Sequence, residues 1–524
     1  MFRFLLLFCG IFWLTGTPAR AAWHEASSEH FVIRADQSAS TVQLFAERLE
    51  KFHAAMAFML KQEPESPSPS NRVTVFVVSN TANVRKLADL KGKYTAGIYM
   101  PRAGNIVAIV PRLRSGGGKF DLSPETILKH EYAHHFLFNI TNRTFPLWFQ
   151  EGFAEFFASG REERDGTTVL GGAANHRAYE LAASREVPIE RLLDTENYLA
   201  NKSSGYDQFY GRSWLLYHYM TFDESRQGQM AEFQRLMAYG STDIEAARKA
   251  FGDLDELDRD LDRYASQRRI SAVGLPPQML KTSRVTVRRL PEGEAKMMPI
   301  LMESRTGVDE EQAAEILLSA RRVAAEYPDD PAVQEALAEA EFDAGYDAEA
   351  IAAADRALAL DPKRIRAQIQ KVYAYAHRAE SAADQDKAWK EVRRQIVAAN
   401  RLEPNNPVPL MEYYRSYRWT GAAPPKIAVD GLKRALQLAP FDHNLRMSLA
   451  AQFMQKKQYA EAALTLRPLA YNPHRSGATE AAEQLLKRAE KAEEARKVGS
   501  PVEDQPASVS AAGMANTEAE AVQE

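Results

Sequence analysis

The residues best suited to chemistry lie in the run His130-Glu131-Tyr132-Ala133-His134. Two histidines four residues apart share one face of an α-helix, so both imidazoles can reach a single metal ion. Glu131 projects beside that face, where its carboxylate can accept a proton from a water that the metal acidifies. This HExxH pattern predicts a zinc site with His130 and His134 as ligands and Glu131 as the general base.

A carboxylate further along the chain supplies the third ligand. Glu151 lies 17 residues after His134, in the run WFQEGFAE at 148–155. A helix in this region can bring Glu151 back against the helix of the two histidines. Two His and one Glu leave a fourth position open, as in catalytic rather than structural zinc sites. We therefore predict bound Zn²⁺ held by His130, His134 and Glu151.

Sequence patterns also predict the elements that must position these residues. Ser123 is a favourable N-cap and Pro124 suits a first helical turn, so the zinc helix should run from there to about Phe138. From residue 148 to about residue 269 the pattern is mostly helical. The first domain is thus expected to be α+β, with these earlier elements: strands at 30–33 and 73–78, a helix at 40–61, and a hairpin of 96–100 with 106–110.

The segment at 148–155 closely resembles the W-x-x-E-G-x-A signature of gluzincins, the zinc peptidases that include aminopeptidase-N-like enzymes. The whole chain resembles peptidase-MA-like proteins that join such a domain to tetratricopeptide repeats. The resemblance covers about residues 23–270 by layout. It implies an α+β zincin-like metallopeptidase domain, followed by an all-α tetratricopeptide-repeat solenoid, and zinc-dependent hydrolysis of peptides.

The same resemblance implies roles for further residues. An acid at the position of Glu155 holds a ligand histidine through its other ring nitrogen in gluzincins; the alternative is a solvated surface acid. The run that begins at Tyr210 resembles the stretch bearing the oxyanion-stabilising tyrosine, with Tyr206 as second choice. Both tyrosines are alternatively packing residues. His135 points about 100° away from His134 on a helix, so we expect it to pack rather than to bind metal.

Residues after about 292 are alanine-rich and helical, with prolines recurring at 328, 362, 404, 440 and 473. Their spacings of 34, 42, 36 and 33 residues approach the 34-residue tetratricopeptide period. The clearest unit carries Leu337, Ala338, Gly345, Ala357 and Pro362. The alternative is a generic alanine-rich bundle. Such arrays present extended surfaces to other proteins, so a protein partner is expected through the repeats.

The two ends of the chain differ from the rest in composition. Residues 1–21 combine Arg3, an apolar stretch and Ala19-Arg20-Ala21, which predicts a signal peptide; a buried N-terminal helix is the alternative. The single cysteine, Cys9, would leave with it, which fits an exported protein without disulfides, such as one of a bacterial periplasm. The tail at 499–524 is predicted to be disordered.

We therefore expect a metallopeptidase domain at 22–280, a connector at 281–291 and a repeat domain at 292–498. Cutting the connector is expected to leave two folded pieces. The formal net charge of −4 does not indicate the basic surface that nucleic-acid binding requires. No membrane span is expected in the mature chain. The expected function is hydrolysis of a peptide or protein substrate. The alternative is a non-catalytic periplasmic scaffold protein that acts through its repeats.

Overall fold

The structure is a computed structural model that describes residues 22–62, 64–87, 95–112, 122–202, 207–473, 476–498 and 521–523. The predicted signal peptide and Tyr206 lie outside the described residues. Among the described residues, no helix combines the length and apolarity needed to cross a membrane. The strands are β1 His24–Ser27, β2 Phe31–Ala35, β3 Val73–Val78, β4 Thr95–Arg102, β5 Asn105–Pro111, β6 Arg161–Glu162, β7 Thr168–Leu170, β8 Val273–Leu275, β9 Thr286–Arg289 and β10 Ala521–Gln523.

Helices make up most of the remaining described chain, in two groups. The first group is α1 Ala39–Leu60, α2 Thr81–Leu87, α3 Pro124–Ile140, α4 Leu147–Ala158, α5 Ala178–Ala183, α6 Ile189–Leu193, α7 Thr195–Ala200, α8 Phe209–Phe222, α9 Gln229–Ala238, α10 Asp243–Phe251 and α11 Leu254–Ala265. The second group is α12 Glu292–Thr306, α13 Glu310–Glu326, α14 Pro331–Asp343, α15 Asp347–Leu360, α16 Ile365–Glu380, α17 Gln385–Leu402, α18 Pro407–Arg418, α19 Lys426–Leu438, α20 His443–Gln455, α21 Tyr459–Ala470 and α22 Gly477–Lys497.

The N-terminal part is α+β, as the sequence predicts, and is built on one mixed sheet. Its strand order is β10-β4-β5-β3-β2-β1-β9. Strands β2, β3 and β5 run parallel, and β4 returns antiparallel to β5 as the predicted hairpin. Strands β6, β7 and β8 form a separate small sheet, which the mostly helical prediction for this region missed.

Alternate side chains of the large sheet pack against two different helical layers. Val75 and Val77 belong to the core that the sheet shares with α1 and α3. Phe76 and Val78 belong to a second core, which includes Met297 and other side chains of α12, α13 and α14. The sheet is thus covered by first-domain helices on one face and largely by C-terminal helices on the other.

The C-terminal part is a series of helices in which each packs on the next from α12 to α22. Short turns join the members of the pairs α14–α15, α16–α17, α18–α19 and α20–α21, as expected for antiparallel neighbours. The recurring prolines follow the ends of α13, α15, α17, α19 and α21 by two or three residues. Side-chain caps begin α13, α14, α17, α18 and α20, at Asp309, Asp330, Asp384, Asn406 and Asp442. The helical repeat pattern of the sequence is therefore present in the structure.

The predicted connector is part of the large sheet. Residues Thr286–Arg289 form β9, which pairs antiparallel with β1 at the sheet edge. The pairing of these residues with residues 24–27 depends on the tertiary structure. A domain boundary at residue 280 would separate β9 from the sheet with which it pairs.

The two parts also interlock at the turn between β4 and β5. Gly104 has φ of +67°, and a Cβ there would lie 2.6 Å from the side chain of Val408. Arg366 of α16 donates to the carbonyl of Gly104 at 3.2 Å, and Asp442 accepts from the amide of Ala103 at 2.8 Å. The two parts are therefore in direct contact at this turn, and the separability of two folded pieces stays a prediction.

Part of the predicted C-terminal tail is a strand. Residues 521–523, which the sequence analysis assigned to a disordered segment, form the short strand β10 antiparallel to β4. The rest of the predicted tail lies outside the described residues.

Candidate metal centre

Helix α3 places the two histidines of the HExxH run on one buried face. The helix begins as predicted, since the side chain of Ser123 accepts from the amide of Thr126 at 3.0 Å and Pro124 occupies the first turn. His130 and His134 are 6% and 4% exposed, and their Nε2 atoms lie 3.1 Å apart. Two potential ligand atoms thus face a common point.

Tyr132 lies on the opposite face of α3 and contacts α1 and β2. Its hydroxyl lies 2.7 Å from Nδ1 of His53 on α1, and its ring packs 4.7 Å from the ring of Phe31 on β2. Because both contacts are buried, they fix the rotation of α3 about its axis. The direction in which the two ligand histidines point follows from that rotation.

Glu151 reaches the histidines from the neighbouring helix α4. Its Oε2 lies 3.3 Å from Nε2 of His130 and 3.6 Å from Nε2 of His134. The next residue, Gly152, allows α4 to approach α8 closely, because a Cβ there would lie only 2.4 Å from the carbonyl oxygen of Ser213. The glycine of the signature therefore serves helix packing directly beside the ligand.

The three donor atoms fit a tetrahedral zinc ion. Ligand atoms at about 2.0–2.1 Å from zinc lie roughly 3.3 Å from one another in such a site. The separations here are 3.1, 3.3 and 3.6 Å. Among the described residues, these three form the group of His, Cys, Asp or Glu side chains able to hold a metal. The donor set and its spacing match what the sequence predicts.

The electrostatics of the site favour a bound cation. Burial alone would raise the pKa of Glu151, but hydrogen bonds with His130 and His134 outweigh it and hold that pKa well below its usual value. Burial lowers the pKa of His134. The pKa of His130 is raised despite burial, because the carboxylates of Glu151 and Glu155 both contact its ring. The site thus keeps an ionised carboxylate away from water.

Glu155 occupies the position that the resemblance implied. Its Oε1 lies 3.1 Å from Nδ1 of His130, the ring nitrogen that does not face Glu151. The carboxyl is buried, and despite that burial the positive charge of Arg177 keeps its pKa well below the usual value. The alternative, a solvated surface acid, does not hold.

Two residues that the sequence patterns did not single out, Arg177 and His176, contact the carboxylate of Glu155. Arg177 donates to Oε1 at 2.6 Å, and Nε2 of His176 lies 2.6 Å from Oε2. Both lie in the short helical turn directly before α5, more than 20 residues after Glu155 in the sequence. No motif marks them, so only the fold could reveal them.

Tyr210 belongs to the same cluster. It lies half-buried in the first turn of α8, and the guanidinium carbon of Arg177 is 4.8 Å from its ring centroid. The structure thus joins Tyr210, Arg177 and Glu155 behind His130. Glu131 is buried on α3 beside the two ligand histidines. The catalytic roles of Tyr210 and Glu131 stay predictions.

His135 packs as expected and is not among the metal-binding group. Its ring stacks on Tyr132 at 5.6 Å and meets the edge of Tyr99 at 6.2 Å. Burial lowers its pKa to about 3, so the ring is neutral at ordinary pH.

Comparison with known proteins gives a family match and a set of helical neighbours. Residues 125–242, which include α3, α4 and α8, match a family described as a protein of unknown function, DUF1570. No curated protein sequence matches the chain.

The solved structures that resemble the chain are helical repeat proteins. One is TTC0263, a thermophilic TPR protein of Thermus thermophilus, with 19% identity and a TM-score of 0.31 over 37% of this chain and 97% of that one. Another is MamA from Desulfovibrio magneticus RS-1, with 14% identity and a TM-score of 0.26 over 39% of this chain and 98% of that one.

Proposed function

We propose that the protein is a zinc-dependent peptidase whose metal is held by His130, His134 and Glu151. The observation that carries the proposal is the convergence of their three donor atoms at tetrahedral spacing on an HExxH helix. The protein supplies three ligands, which is the number found in catalytic zinc sites. When bound, zinc supplies Lewis acidity that polarises a carbonyl group and makes water more acidic.

The chain's own residues would handle the protons. The carboxylate of Glu131 would accept a proton from the attacking water and deliver it to the nitrogen of the departing amine. The hydroxyl of Tyr210 would donate a hydrogen bond to the oxygen of the scissile carbonyl as negative charge develops there. Glu155 would hold His130 in one orientation and one tautomer through Nδ1.

The substrate class is a peptide or protein segment, and protein partners of the repeats belong to the same proposal. The repeat face around Arg366 and Asp442 already contacts the N-terminal part of this chain. A second protein would therefore bind elsewhere on the helical array.

The test compares the wild-type protein with Glu131→Gln on an unbiased peptide library, with zinc content measured on the same samples. The wild type should carry about one zinc per chain and cleave peptides in a chelator-sensitive way. The amide of the variant cannot accept the proton, so turnover should fall on the order of 10²–10⁴-fold while zinc stays bound.

Glu125→Gln is a matched control, because it makes the same change on the same helix at a residue that pairs with Lys129 instead of the metal group. It should cleave like the wild type. A zinc-loaded wild type that cleaves no peptide would favour the scaffold function instead. Equal turnover of Glu131→Gln and wild type would remove Glu131 as the base.

A further inference from the structure

Each of the two helices that carry metal ligands touches the repeat part through a residue directly beside a ligand. On α4 this residue is Gln150, which precedes Glu151 and is 3% exposed. Its amide Nε2 donates at 2.8 Å to the carbonyl of Phe145 and at 2.8 Å to the carbonyl of Tyr471. Tyr471 caps the C-terminus of α21, so one side chain ties α4 to the repeats.

On α3 the corresponding residue is His135, which follows His134. Its ring centroid lies 4.6 Å from that of Phe441, in the turn between α19 and α20. Phe441 is 4% exposed. The ring of His135 also stacks on Tyr132. The repeat part therefore contributes a side chain to the packing that sets the position of α3.

The surrounding interface holds these two contacts in a fixed geometry. Asn71 donates to the carbonyl of Leu438 at 2.8 Å, and Ser70 donates to Glu403 at 2.7 Å. These buried or half-buried bonds join the turn before β3 to the C-terminal ends of α17 and α19. Phe441 and Tyr471 are thus held by an extended contact and not by single bonds.

We propose that the repeat part positions the metal centre, with Gln150, His135, Phe441 and Tyr471 as the positioning residues. The inference rests on the proposed metal site. Two ligands come from α3 and one from α4, so the distance between Glu151 and the histidines depends on how the two helices lie relative to each other. Contacts with neighbouring turns of the array, around Phe441 and Tyr471, restrict that relation. The repeats then act on the site from within the chain, separately from any binding of other proteins.

The test measures zinc affinity by competition with a chromophoric chelator, which does not depend on peptidase activity. Gln150→Ala and Phe441→Ala should each weaken zinc binding about 2- to 30-fold, the range for residues coupled to a site without touching its ligand. The visible spectrum of Co²⁺ in the site should also change, since it reports ligand geometry. Phe441→Leu retains apolar bulk and should restore most of the affinity.

Arg366→Ala is the control, because it removes hydrogen bonds to Gly104 and Asn105 across the same interface, at the turn between β4 and β5, without touching a neighbour of a ligand. It should lower the free energy of unfolding, measured in urea, but leave zinc affinity and the Co²⁺ spectrum unchanged. Wild-type zinc affinity in Gln150→Ala and Phe441→Ala would overturn the inference, as would an equal loss in Arg366→Ala. A wild type that binds no zinc would instead overturn the proposed function itself.

Discussion

The carboxylate of Glu155 lies 3.1 Å from Nδ1 of His130, on the opposite side of the imidazole from the Nε2 that faces Glu151. The imidazole of His130 therefore contacts two carboxylates, one at each of its ring nitrogens. In zinc proteins such a partner fixes the tautomer and increases the basicity of the ligand. Here the partner is itself held by Arg177 and His176.

Removing the Glu155 carboxylate should lower the affinity of the site for zinc, but the site should still bind zinc at a high zinc concentration. We expect Glu155→Gln to lower zinc affinity about 10- to 100-fold, because Nδ1 of His130 loses its charged partner. Chelator competition measures the loss. Glu163→Gln, at an exposed acid, is the control and should bind zinc like the wild type. Unchanged affinity in Glu155→Gln would show that the contact with His130 is incidental.

Removing a ligand should have a larger effect. His134→Ala leaves only two donors, so elemental analysis should find little zinc on the purified protein. His130→Ala should behave in the same way, and circular dichroism should show that the repeat helices remain. Full zinc in both variants would contradict the assignment of this site.

Tyr210→Phe tests the role of the phenol hydroxyl. If it stabilises the developing oxyanion, kcat should fall by a factor corresponding to about 2.7–4 kcal/mol, with zinc content unchanged. The ring itself is retained, so its contact with Arg177 should persist. A normal kcat would mean that Tyr210 is a packing residue, and Tyr206 would then be the next variant to measure.

A chain that ends at residue 280 should fail to fold stably. It lacks β9, and it exposes the sheet face that carries Phe76 and Val78, which the C-terminal helices cover in the whole protein. Urea unfolding with near-UV circular dichroism measures this. A chain that ends at residue 498 is the control and should unfold cooperatively. Cooperative unfolding of the short chain would show that α2 alone covers enough of that face.

Low pH should destabilise the protein through His53. Burial, with a contribution from neighbouring His30, lowers its pKa to about 3, whereas an unfolded histidine titrates near pH 6.5. Between these values the unfolded chain binds a proton that the folded chain does not, so the free energy of unfolding decreases as pH falls. From pH 7 to pH 5 this contribution is on the order of 2 kcal/mol.

His53→Gln removes that titration and can still form a hydrogen bond with Tyr132. Urea unfolding at pH 7 and pH 5 should therefore show a smaller pH dependence in the variant than in the wild type. Identical pH dependence in the two proteins would contradict the prediction.

The sequence by itself indicated the candidate metal-binding residues and determined the local elements that carry them. His130 and His134 share a helix face because of their spacing, and Ser123 with Pro124 begins that helix at the predicted residue. Apolar periodicity likewise located α1, β3 and the β4–β5 hairpin. These features depend on side chains close together in the chain, so local patterns suffice to predict them.

Tertiary structure alone decided which distant residues support the candidate site and which later segment joins the large sheet. Arg177 reaches Glu155 only because the turn before α5 folds back against α4, and residues 286–289 form a strand only because β1 offers its edge. The repeat helices looked self-sufficient because their periodic apolar residues bury one another, yet Met297 also covers the sheet. Such contacts depend on where apolar surfaces and unpaired strand edges meet in space, which a linear pattern does not encode.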